Sequence, residues 1–128
     1  MPEPMPTFTS RLRRTEESAA RAREVVTELL AAWDLSPLAD DAALIVTELV
    51  ANAVAHGRGP SIRLTVTCPE QKLVRLAVTD NSLGKPQVTE SGPHDESGRG
   101  LQIVAALSQR WGVDFRPRHK HVWAEVTQ

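Results

Sequence analysis

Glu48, Asn52 and His56 recur every fourth residue within "TELVANAVAHG" (47–57). At about 100° per residue, steps of four advance only about 40°, so on a helix the three form one row. A carboxylate can take a proton from a hydroxyl. An amide oxygen suits Mg²⁺, a hard cation that takes oxygen and few protein ligands. An imidazole at a helix end can also simply meet the last carbonyls, and the whole row has a bland alternative as the polar edge of an amphipathic helix. No His-Glu-x-x-His motif accompanies it and Cys68 stands alone, which argues against a zinc site.

Two further stretches carry chemistry. In "VTDNSLGKP" (78–86), Asp80 ends an apolar strand, placed to cap a turn or to accept a hydrogen bond from a ligand's amino group. In "ESGRGLQIV" (96–104), Gly98 and Gly100 flank the expected start of a helix, where backbone N–H groups favour a phosphate. A flexible hinge explains that Gly-x-Gly equally well, and it matches neither the Rossmann nor the Walker pattern.

The elements that must position these residues follow from periodicity. The arm 1–7, with prolines at 2, 4 and 6, precedes a domain over 8–128 that begins with a short edge strand (7–14). Ala22, Val26, Leu29, Leu30 and Trp33 make the stripe of a first helix, about 16–33. Ser36 reads as the N-cap of a second helix, with Pro37 at its first position and Asp40 and Asp41 in its first turn. That helix runs to about His56 with Ile45, Val46, Leu49, Val50 and Ala53 inward. Alternation marks strands at 61–68 and 73–80, joined at "PEQK". A polar loop over 81–99 leads to a helix at 100–109, then to strands at 110–115 and 121–126, with His119, Lys120 and His121 in the turn before the last, where a phosphate contact is the alternative to a plain turn. His94 falls in the polar loop. The order predicts an α+β two-layer sandwich, a mainly antiparallel mixed sheet with helices on one face.

Composition excludes several classes. With 15 basic and 16 acidic residues the net charge is −1, which gives no general attraction to nucleic acid or to membrane. One cysteine forms no internal bridge, no apolar run matches a membrane span, and "MPEPMPTF" lacks a signal-peptide core. A cytoplasmic protein is the expectation.

Taken together, an acid-x-x-x-amide helix, Asp-x-x-x-Gly after a strand, and Gly-x-Gly at a helix resemble the GHKL ATPases. This is the Bergerat-fold superfamily of gyrase, heat-shock 90 chaperones, sensor histidine kinases and mismatch-repair ATPases. The chain is most similar to the branch of anti-sigma-factor serine/threonine kinases and their actinobacterial-type relatives. "ALIVTELVANAVAHG" resembles the N-box, "VTDNSLGKP" the first glycine box, "SGRGLQIVAALSQRWGV" the second and "VWAEV" the closing strand, over about residues 8–127.

The resemblance implies ATP and Mg²⁺ as cofactors. It implies Glu48 as general base, Asn52 as Mg²⁺ ligand, and His56 as a residue frequent at the end of this branch's N-box. It implies Asp80 as acceptor for the adenine amino group and Gly84 beside the adenine. Gly98, Arg99 and Gly100 would form the hinge of a short lid whose backbone reaches the phosphates, with Leu101 following at the nucleotide. It further implies phosphorylation of a serine on an antagonist (anti-anti-sigma) protein, sequestration of a sigma factor, and a homodimer. A nucleotide-gated binding module without kinase turnover is the alternative. Two positions depart from the family pattern: Ser82 stands where a first glycine is usual, and His121 stands near the usual threonine of the last strand.

Overall fold

The computed structural model describes residues 5–81 and 96–128, the segment 96–99 by its backbone alone. The elements run β1 (Thr7–Arg13), α1 (Glu17–Ala32), a 3₁₀ turn (Ser36–Leu38), α2 (Ala39–His56), β2 (Arg58–Glu70), β3 (Leu73–Asn81), α3 (Glu96–Leu107), β4 (Arg110–Phe115) and β5 (His119–Thr127). The strands form one sheet in the order β1-β2-β3-β5-β4, and every pairing is antiparallel. This is the α+β architecture of a Bergerat-type fold, and the "mixed" part of the expectation drops out.

Periodicity places the core. Ala22, Val25, Val26 and Leu30 of α1 and Ile45, Val46, Leu49, Val50 and Ala53 of α2 are buried. They meet Ile62, Leu64 and Val66 of β2, Val74, Leu76 and Val78 of β3, and Val122, Ala124 and Val126 of β5. Each strand sends alternate side chains to the helices, as a pleat with one covered face requires. Helix α1 ends through Asp34, whose φ of 60° lets Leu35 N–H reach Leu30 O at 2.7 Å. A short polar residue tolerates this left-handed turn best after glycine.

Three local expectations change. Ser36 is not the N-cap of α2: it opens the 3₁₀ turn, which buries Leu38, and α2 starts after it with no side-chain cap. Asp40 and Asp41 do lie in the first turn of α2. His119, Lys120 and His121 are not a turn but the start of β5, paired with Asn81, Asp80 and Thr79. Helix α3 starts at Glu96, so Gly98 and Gly100 lie within it rather than flanking its start.

The sheet's other face is held by polar contacts. Glu125, 4% exposed, accepts from Arg110 Nη2 at 2.6 Å and lies 3.6 Å from Arg75. Arg75 stacks over Trp123 at 4.3 Å from the ring centroid. His121 Nδ1 lies 2.8 Å from Thr79 Oγ1. Burial, helped by the Arg75 charge, holds the His121 pKa below the usual 6.5.

A histidine with a lowered folded pKa contributes stability that is complete above the unfolded value and is lost as pH falls through the folded one. Thermal unfolding is therefore expected to show stability declining as pH drops below about 6.5. His121→Gln, which has no proton to gain there, is expected to flatten that decline. An identical pH profile in both chains would refute the assignment.

Candidate functional site

The row on α2 faces the end of the sheet where β3 and β5 carry Asp80 and Lys120 side by side. Of the row, Glu48 is half-buried, Asn52 is buried and His56 is exposed in the last turn. Asp80 is 2% exposed, although it is the last inward-facing residue of β3. Burial raises its pKa above the usual carboxylate value, opposed by the charges of Lys120, Arg14 and His119. One of its oxygens, Oδ1, is buried with no hydrogen-bond partner among the described residues. An unpaired buried acceptor costs about 1–3 kcal/mol, so a ligand donor that reached this oxygen would be favoured.

The other oxygen is engaged. Lys120 Nζ lies 3.9 Å from Asp80 Oδ2 and donates to Asn52 Oδ1 at 3.4 Å. Gly57, which follows α2, fits under Asp80 only because it lacks a side chain. A Cβ there would stand 2.9 Å from Asp80 Cγ and would also meet the Ala53 carbonyl. Arg14 locks the same corner, donating to Val54 O and Gly59 O at 2.7 Å each. Its guanidinium satisfies a carbonyl of the last helical turn, where a cation is favoured.

Helix α3 brings Gly100 against the base candidate: a Cβ at Gly100 would be 2.8 Å from Glu48 Oε2. Leu101 packs half-buried on the core. Gly98 lies in the first turn of α3, and the Arg99 side chain is outside the described residues. Ser82, Gly84 and His94 also lie outside them. The structure thus brings Glu48, Asn52, Asp80 and Gly100 to one end of the fold. A cleft of about 580 Å³ lined by Trp33, Asp34, Cys68 and Lys72 sits at the other end of β3, by the β2–β3 turn.

Residues 12–126 match the family described as the histidine kinase-like ATPase domain. The chain belongs to that family. An uncharacterized protein of Streptomyces coelicolor is 32% identical over 83 residues, covering 62% of this chain and 79% of the relative. Membership makes this ATPase domain an ATP-binding, kinase-like regulatory module of the GHKL type. Among its described residues no helix is long and apolar enough to cross a membrane.

The ATPase domain's site fits an adenine nucleotide. The orphaned Asp80 Oδ1 calls for a donor such as the exocyclic amino group, and Asn52 Oδ1 is a hard neutral oxygen of the kind Mg²⁺ takes. Sequence reasoning missed Arg14 and Gly57, and it put Lys120 in a turn rather than on the inward face of β5. Lys120 was legible: Val122, Ala124 and Val126 face the helices, and the same two-residue period carried back reaches position 120.

Proposed function

We propose that this domain is an ATP-dependent serine/threonine protein kinase of the anti-sigma type, acting in the cytoplasm as a homodimer. It transfers the γ-phosphoryl of ATP to a serine of an antagonist protein and sequesters a sigma factor. The observation that carries the nucleotide part is the buried Asp80 carboxylate beside the α2 row, one of whose oxygens has no partner among the described residues. Family membership and the resemblance of the N-box support the rest.

In this reading Asp80 accepts from the adenine amino group, and Glu48 takes the proton of the acceptor serine as its oxygen bonds to the γ-phosphorus and the bond to ADP breaks. Gly100 leaves room for the Glu48 carboxylate beside α3. Asn52 would hold Mg²⁺, whose charge offsets that developing on the phosphates. Phosphoryl transfer needs positioning and charge neutralisation more than covalent help, so one base and one metal suffice.

The test is incubation with γ-labelled ATP and candidate antagonist proteins, followed by locating the label. Phosphoserine on an antagonist, together with recovery of a sigma factor in pull-downs, is the expected result. Nucleotide binding with no transfer to any antagonist would leave the gated binding module, in which the ATP-bound state alone selects the partner.

A further inference from the structure

Adenine recognition and proton transfer use Asp80 and Glu48 and leave Lys120, among the described residues of the site, without a role. Lys120 is only 14% exposed and reaches across the floor from β5, with its ammonium between Asp80 Oδ2 and Asn52 Oδ1. Taking an ammonium out of water is costly unless its partners compensate. Here one partner is a carboxylate and the other is the amide oxygen that a divalent metal would use.

That placement has two chemical consequences. Lys120 engages Oδ2 of Asp80 and leaves Oδ1 open. It also puts a positive charge where a metal ion would otherwise supply one. An ammonium and Mg²⁺ cannot share one oxygen, because like charges a few ångströms apart in a poorly solvated site repel strongly.

We propose that Lys120 is a resident cation of the nucleotide site: it occupies the Asn52 oxygen while no metal is bound and supplies positive charge to a nucleotide, so that nucleotide binding depends only weakly on magnesium. This rests on the nucleotide reading above. It concerns affinity alone, since the transfer step draws on charge that develops later. The stem of a lysine is long and flexible, so the ammonium can turn from Asn52 toward an entering anion without moving β5.

The experiment is calorimetric titration of the domain with ADP, which undergoes no transfer, in millimolar magnesium and in chelator. The parent is expected to show nearly equal affinities in the two buffers. Lys120→Met removes the ammonium and frees Asn52, so the ratio of magnesium to chelator affinity is expected to rise by about tenfold or more, the range of a lost charge-assisted contact. Lys120→Arg keeps the cation and is expected to restore the parent's ratio. Lys120→Gln, which keeps a donor for Asn52 without the charge, should move the ratio the same way as methionine and stands in if the methionine chain does not fold.

A ratio unchanged by both neutral substitutions overturns the proposal, as does a parent that binds ADP only with magnesium. A parent that binds no adenine nucleotide in either buffer overturns the nucleotide reading itself, and the proposal with it.

Discussion

Glu48→Gln is expected to bind ATP as the parent does and to transfer its γ-phosphoryl more slowly by about 10²–10⁴-fold, the usual contribution of a positioned general base. The amide keeps the shape of the carboxylate and its place on α2, and Glu48 is half-buried, not a core residue whose change would perturb packing. What is lost is the ability to accept the serine proton in the transition state. An interaction made only there lowers the rate without lowering ground-state binding. Single-turnover transfer measured beside nucleotide affinity for the same two chains separates these quantities. Transfer at the parent rate would remove Glu48 from the reaction. A parallel fall in affinity would make it a binding residue instead.

Asp80→Asn is expected to weaken ATP by about 10- to 150-fold, the equivalent of about 1.5–3 kcal/mol for a hydrogen bond to a charged group. An amide in this position can also turn its NH₂ toward the adenine NH₂, setting donor against donor. On the nucleotide-free fold the same substitution has two opposed effects: it removes a carboxylate that burial penalises, and it takes the counter-charge from the largely buried Lys120, 3.9 Å away. Burial raises the Asp80 pKa above its usual 3.8. An acid with a raised folded pKa contributes stability that is complete below the unfolded value and is lost as pH rises through the folded one. At neutral pH the ionised carboxylate is therefore a cost that asparagine does not carry. Titration with ATP at pH 7 tests the assignment. A chain that binds ATP at the parent's affinity would contradict it.

The helices and strands were legible because their apolar residues keep a strict period. Ile45, Val46, Leu49, Val50 and Ala53 were expected inward from a helical stripe and all are buried. The strand 110–115 has the expected ends. Glycine misled the boundary of α3. Gly98 and Gly100 read as punctuation, yet Gly100 is needed for space, because the Glu48 carboxylate occupies the volume its Cβ would fill. No local pattern announces such a tertiary contact. His119–His121 read as a turn because their side chains are polar. They are polar because this end of β5 lines the site and the sheet's uncovered face rather than the core. The departure from apolar alternation was thus itself a mark of the site.

Strand β5 is synthesised after β4 yet lies between β3 and β4 in the sheet. At about 5–20 residues per second, a growing chain therefore carries β3 for several seconds with one edge unpaired, and β4 emerges with no neighbour to pair with. Open strand edges are templates for other chains. Arrival of β5 pairs the free edge of β3 and one edge of β4 in one event, and that event also brings Lys120 to Asp80 and Asn52. A newborn chain thus gains a continuous five-stranded sheet and a charged site floor at the same moment. A chain halted before residue 119 has neither, and its β3 edge is where it will join its neighbours.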